Sequence, residues 1–286
     1  YVFTTCAMNY YPNAVLLARS LEQHIPDARR VLCITDRPSP DVDPIFDGFH
    51  EVYPLSQIAE YVPNLDQWVY QHTVMELATA VKPFVLADLL EREDCDGVVF
   101  FDPDCEVYSE CQIIRDAVTK HSVVLTPHAH LPHVKDPWVF FEMNNHRVGV
   151  YNGGFFGVRA DEEGKGFASW WRHRLTDHCL IDDKRRLFTD QKWLDFVPCY
   201  FDNVKVLRQP TLNVARWNTF QRKVKRSPDG SILVDGMPLD FVHYSGFLKK
   251  GGYIRGLYDA SSAEWWDDIE VLDGLSKTYA DKLHPL

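Results

Sequence analysis

The first 35 residues constrain the fold more than any other part of the chain. They run from an apolar segment, VFTTCA, through an amphipathic stretch to a second apolar segment, VLCIT. Between the two, Ala14, Leu17, Ala18, Leu21 and Ile25 recur at helical spacing, and Pro12 stands near the start of that stretch, where a proline fits a first helical turn. A continuous apolar run is the mark of a strand buried on both faces, and two such strands joined by a helix make a βαβ unit. The opening therefore predicts an α/β fold with a mostly parallel central sheet flanked by helices.

The rest of the chain extends the pattern. Residues 66–92 read as helical, with Leu77, Val81, Val85, Leu89 and Leu90 as the core face and Pro83 marking a kink or a new start. GVVFF at 97–101 has the composition of a central strand. A helix is predicted over 109–119 and a strand at SVVLT, 122–126. Residues 127–150, rich in Pro, His and aromatics without a period, read as a long loop. GGFFGV at 153–158 reads as a strand, and Phe167, Trp170, Trp171, Arg174 and Leu175 as a helix. A short helix around Asp190–Phe196, strands near 204–207 and 241–244, and a hairpin at 222–234 around Pro228-Asp229-Gly230 complete the outline. No internal repeat or linker divides the chain. It reads as one domain over residues 1–250, with a C-terminal appendage over 251–286.

Charge and cysteine content narrow the partners. A net charge of −11 has the wrong sign for broad contact with nucleic-acid phosphates or an anionic membrane, which favours a small substrate or another protein. No apolar run reaches the about 18 residues that span a bilayer. The N-terminus YVFTTCAMNY lacks the charged, apolar and small-residue succession of a signal peptide. The 7 cysteines are scattered, without a CxxC pair, and read as buried reduced thiols of a cytoplasmic protein. The chain opens on Tyr1 rather than Met, which suggests a trimmed chain or a piece of a longer protein.

Four places carry residues suited to chemistry. In FFDPDCEV, Asp102 and Asp104 close an apolar strand, where open α/β sheets place ligands; two such carboxylates suit a divalent ion with oxygen ligands, and are equally a solvated turn. In HYSGFLK, His243 ends a strand, Gly246 permits close backbone approach, and Lys249 can meet phosphate; a buried histidine and a surface lysine are the plainer alternative. In YNGGFFGV, Asn152 precedes Gly153 and Gly154, which either admit a ligand near the backbone or only turn the chain into a strand. Asp190-Gln191 is either a helix N-cap or a pair facing a sugar ring. Among the tryptophans, 138, 170, 171, 193 and 217 offer flat faces; 170 and 171 read as core, and Trp217 with Asn213, Arg216 and Asn218 as a loop able to read hydroxyls. His128, His130 and His133 read as loop histidines near an acceptor mouth, since Pro127 and Pro132 break any helix that would align them.

Taken in order, Lys82, Asp102/Asp104, Asn152-Gly153-Gly154, Asp190-Gln191 and His243-x-x-Gly246-x-x-Lys249 resemble the retaining nucleotide-sugar transferases of glycosyltransferase family 8, the family of glycogenin and the bacterial lipopolysaccharide galactosyltransferases. The resemblance covers about residues 1–250. It implies a GT-A fold, a single α/β domain with a nucleotide-binding half and an acceptor half. Asp102, Asp104 and His243 would hold Mn2+ or Mg2+ against the diphosphate of a UDP-sugar. Lys82 and Lys249 match positions that contact donor sugar or phosphate. Thr4, Thr5, Ala7, Asn9 and Tyr10 match the nucleotide-binding first loop, although family members often carry acidic residues where this chain has Thr-Cys-Ala-Met. Wider stretches, FTTCAMNYYPNAVLLARSL among them, look like bacterial sequences linked to surface-polysaccharide synthesis.

The chemistry follows from the residue types. Breaking an anomeric C–O bond leaves an oxocarbenium-like sugar and a diphosphate whose new charge needs a cation and lysines to stabilise it. Asp190 and Gln191 would line the opposite ring face, and the acceptor would be a saccharide or glycoconjugate. Two other readings compete. A phosphohydrolase of the haloacid dehalogenase type also uses a D-x-D, but on its first strand and with a later lysine and acidic pair, for which only Asp182-Asp183 in CLIDDK is available. A catalytically silent binding module of the same fold is the other.

Overall fold

The chain, described here from a computed structural model over residues 1–132, 139–246 and 266–284, builds its main sheet from the strands the sequence marks as continuously apolar. β1 (Val2–Cys6) and β2 (Arg30–Ile34) are buried along their whole lengths and pair in parallel, joined by α1 (Tyr11–His24). β3 (Glu51–Tyr53) adds to β2 at the sheet edge, again in parallel. The predicted helix over 66–92 is three: α2 (Leu65–Tyr70), α3 (Val74–Ala80) and α4 (Lys82–Leu90). Thr73 and Glu76 form a reciprocal capping box that starts α3, and Pro83 lies in the first turn of α4.

Next along the chain come β4 (Gly97–Phe101), β5 (Cys105–Val107), α5 (Gln112–Lys120) and β6 (Val123–Pro127). α6 (Val139–Val148) lies inside the stretch expected to be a loop; its mixed phenylalanine, asparagine and histidine content hides the helical period. β7 (Tyr151–Arg159) and α7 (Glu162–His178) follow, then the small hairpin of β8 (Ile181–Asp182) and β9 (Leu187–Phe188). A 3₁₀ helix at Gln191–Phe196 runs into α8 (Val197–Tyr200), and β10 (Val204–Val206) returns to the main sheet. β11 (Val224–Arg226), β12 (Ile232–Val234) and β13 (Met237–Pro238) form a separate antiparallel sheet. β14 (Phe241–His243) pairs with β5, and α9 (Trp266–Leu283) closes the chain.

The central sheet has seven strands in the order β10-β6-β7-β4-β1-β2-β3. All its pairings are parallel except those of β7, which runs against β4 and β6. The mixed sheet with helices packed against it is the predicted α/β architecture. Core residues alternate across it: Phe100 stacks on Phe156 at 4.9 Å in one layer, while Phe101 and Phe155 pack with Phe241 in the other. Six of the cysteines are buried, Cys199 is exposed, and all are free thiols.

α9 packs on the body of the molecule. Leu272, Leu275 and Tyr279 join a buried cluster with Val214, Val234 and Val242. The Tyr279 ring stacks on Tyr244 at 3.9 Å with planes 10° apart, its hydroxyl accepts from Asn13 Nδ2, and Lys282 pairs with Glu106. Among the described residues no helix is long and apolar enough to cross a membrane.

Candidate active site

Strand pairing brings the far-separated polar residues together. Asp102 and Asp104 sit in the turn between β4 and β5, at the carboxyl end of β4. Because β14 pairs antiparallel with β5 in a register that sets His243 opposite Cys105, and the Tyr244 N–H donates to the Asp104 carbonyl at 2.8 Å, the imidazole is carried to the acidic turn. His243 Nε2 lies 3.1 Å from Asp104 Oδ1 and 3.6 Å from Asp102 Oδ2. Burial works against charge on this imidazole, but the two carboxylates outweigh it and raise its pKa.

The other side of Asp102 is held by Lys82. This side chain is fully buried at the start of α4, and its ammonium has three oxygen neighbours: Asp102 Oδ1 at 3.1 Å, the Gly153 carbonyl at 2.9 Å and Asp190 Oδ2 at 2.8 Å. Burial alone would discharge the lysine; Asp102 and Asp190 more than compensate, and its pKa is raised. Burial also raises the Asp102 carboxyl, with Lys82 and His243 pulling the other way. With its donors engaged, Lys82 holds two carboxylates in place rather than presenting a free ammonium to a ligand.

The glycines at 153 and 154 are needed for this convergence. A Cβ on Gly154 would fall on the His243 ring at Cε1 and within 2.8 Å of Asp102 Oδ2 and Asn152 Oδ1, and one on Gly153 would lie 2.8 Å from Gln191 Cβ and 2.9 Å from Asp190 Oδ2. Gln191 bridges two segments: its Oε1 accepts from the Gly153 N–H at 3.2 Å, and its Nε2 donates to the Val148 carbonyl at 3.0 Å. Asp190 accepts from the Thr189 hydroxyl and is buried. Asn152 does not point to a ligand with its oxygen, which accepts from Gly154 N–H and Asn213 Nδ2, both at 3.1 Å.

These groups open on a cleft of about 680 Å³. Thr5, Ala7, Asn9, Tyr10, Lys82, Asp102, Asp104, Asn152, Gly153, Asp190, Gln191 and His243 all line it. Thr5 lends its surface but not its hydroxyl, which donates to the Ala78 carbonyl at 2.6 Å. Thr4, Gly154 and Gly246 are not among the lining residues; Thr4 is buried, its hydroxyl without a hydrogen-bond partner among the described residues, and Gly246, at φ +72°, packs beside Arg216. Lys249, His133 and Trp138 lie outside the described residues.

The acceptor-side expectations divide. Trp217 and Arg216 line the cleft, and the Trp217 ring meets the edges of His243 and His128 at 5.2 and 5.7 Å. Asn213 and Asn218 are buried and tie the local backbone and Asn152 together instead of facing the opening. Trp171 is core and Trp170 and Trp193 pack against it. The sequence reading missed α6, which contributes Phe140, Phe141, Asn144, Asn145 and Val148 to the cleft wall; the spacing of 140, 144 and 148 is the signal that could have found it.

A cation fits the donor set in chemistry. Among the described residues, ligand atoms of Asp104, Cys105 and His243 all lie within 4.8 Å of one another, a trio that differs in one member from the expected Asp102, Asp104 and His243. Cys105 packs in the apolar cluster with Phe101 and Phe241, and burial raises its thiol well above the ordinary range. Asp102 Oδ2, 3.6 Å from His243 Nε2, adds a carboxylate oxygen beside that trio, and carboxylate and imidazole donors suit a hard or borderline divalent ion.

No protein-family description matches the chain. Two uncharacterized proteins of Bacillus subtilis (strain 168) are similar to it at 28% identity: YfnF over 174 residues, 60% of this chain and 57% of that protein, and YfnD over 188 residues, 65% of this chain and 58% of that protein. The matched segments span a little over half the length of these curated relatives. Among solved structures, the galactosyltransferase LgtC in complex with donor and acceptor sugar analogs superposes with a TM-score of 0.54 at 12% identity, covering 100% of this chain and 95% of that one. An active-site mutant of LgtC gives 0.51 at 13%, covering 93% and 99%. At such identities the likeness is one of fold. The chain has the GT-A fold of glycosyltransferases.

Proposed function

We propose that this chain is a metal-dependent glycosyltransferase that moves a sugar from a UDP-linked donor to a saccharide or glycoconjugate acceptor, with retention at the anomeric carbon. The observation that carries the reading is the convergence of Asp102, Asp104 and His243, with Lys82 and Asp190 behind them, on one cleft of a GT-A fold. Mn2+ or Mg2+ held by Asp102, Asp104 and His243 would supply a positive charge for the departing diphosphate. Ala7, Asn9 and Tyr10 line the part of the cleft where the nucleotide would lie.

Asp190 and Gln191 serve the sugar. LgtC has been solved with an active-site glutamine changed to glutamate, and Gln191 is the glutamine lining this cleft. Its amide is fixed at both ends by backbone groups, which sets the position of its oxygen. Lys82 bridges Asp190 and Asp102 through its single ammonium. Lys249 is assigned to donor phosphate on the resemblance alone. We read residues 1–250 as the catalytic unit, acting in the cytoplasm on surface polysaccharide, with α9 bracing β5 and β14.

The phosphohydrolase reading loses its remaining support: Asp182 and Asp183 pair with Arg185 and Arg147 and do not line the cleft. A thermal-shift screen of nucleotide sugars with and without Mn2+ tests the proposal. Stabilisation by a UDP-sugar only when metal is present, lost in Asp104→Ala, is the expected result. Stabilisation indifferent to metal, or release of phosphate from simple monoesters, overturns it.

A further inference from the structure

α6 turns one face to the cleft, and that face is only partly used for packing. Two residues anchor it. The Phe141 ring stacks on Phe220 at 5.2 Å, and Val148 is buried with its carbonyl bound by Gln191. Three others are available. Phe140 is 69% exposed, and the side-chain amides of Asn144 and Asn145 take part in no hydrogen bond among the described residues.

An open aromatic ring beside two adjacent amides is suited to a neutral sugar. The C–H face of a pyranose lies against the ring, and each amide offers one acceptor and two donors to neighbouring hydroxyls. A purely apolar occupant would bury the two amides without partners. The charged residues of α6, Glu142 and Arg147, are not among those lining the cleft, so the helix brings no charge to meet an ionised group. The location also suits an acceptor: Gln191 links Val148, at one end of α6, to Gly153, which lies next to Asp190.

We propose that the α6 face carrying Phe140, Asn144 and Asn145 is the acceptor-sugar subsite, with the pyranose ring on Phe140 and adjacent hydroxyls on the two amides. The inference rests on the glycosyltransferase reading above and deepens it by placing the acceptor.

The test is saturation-transfer NMR on the full chain with UDP and Mn2+, using methyl β-D-glucoside, methyl β-D-galactoside and methyl α-D-mannoside as probes. At least one should receive saturation at its ring C–H protons. The signal should fall about fivefold or more in Phe140→Ala and in the double variant Asn144→Ala/Asn145→Ala, and return in Phe140→Tyr. Signals unchanged in both variants, or absent for all three glycosides on wild-type protein that binds UDP, overturn the subsite. Failure of UDP and Mn2+ to raise the melting temperature would instead count against the glycosyltransferase reading, so the two failures are read on different measurements.

Discussion

The His243 imidazole meets the Asp104 carboxylate at 3.1 Å because one antiparallel pairing, β5 with β14, lays the two chain segments side by side. Replacing either partner removes a donor without disturbing the strand pairing. His243→Ala and Asp104→Asn are expected to lose the Mn2+-dependent rise in melting temperature and to lower sugar transfer by about 10²–10³-fold. Calorimetry of Mn2+ binding alongside UDP-release kinetics measures both.

Gly154→Ala tests the closeness of the same site from the backbone side. An added methyl meets the His243 ring, and the Asn152 amide oxygen and Asp102 carboxylate oxygen at 2.8 Å, so the ring must move away from the acidic turn. The variant is expected to fold, since only side-chain atoms are met, yet to bind Mn2+ at least about tenfold more weakly. Retention of wild-type metal affinity would show that His243 is not a ligand.

Lys82→Met leaves the buried Asp190 and the partly buried Asp102 without their shared cation. Breaking a buried ion pair from one side costs about 3–5 kcal/mol. An unfolding free energy lower by that amount is expected from urea titration. Lys82→Arg should recover little of it, since a planar guanidinium cannot reproduce three contacts made by one ammonium.

His128 gives the fold an acid sensitivity of known sign. Asn152 must donate through Nδ2 to His128 Nε2 at 3.1 Å, because its oxygen is already an acceptor, so the imidazole is neutral. Burial, then the nearby His243, push its pKa down to about 4 from 6.5. The unfolded chain therefore binds the proton more readily. Stability is complete above pH about 6.5 and falls as pH drops towards 4, by up to about 3 kcal/mol. His128→Gln should flatten that part of the stability–pH curve measured by urea titration.

Tyr279 ties the last helix to the site through its stack on Tyr244, the neighbour of His243. Truncating this fully buried ring in Tyr279→Ala should cost about 3–5 kcal/mol, read as a drop in melting temperature. A shift within error would mean that α9 contributes nothing to the stability of the body.

Much of the fold was legible because its strands are buried on both faces. VFTTC and VLCIT are buried along their whole lengths and GVVFF over most of its length, as short apolar runs in central strands are, so the sheet and its helical crossovers could be read locally. Helix boundaries were less so: α6 was hidden by its composition, and the long helix predicted over 66–92 is broken twice. Within the site, the sequence supplied the residue types and the strand-end positions of Asp102, Asp104 and His243. It could not supply the engagement of Lys82 with two carboxylates, the bridging role of Gln191, or the inward turn of Asn213 and Asn218.

The sequence by itself thus determined a mixed α/β sheet and the chemical vocabulary of its cleft, because burial and periodicity act over a few neighbouring residues. Which of those groups touch, which are tied up by partners, and which stay open to a ligand was decided only by the tertiary structure. Hydrogen bonds and ion pairs act over about 3 Å in space and take no account of distance along the chain.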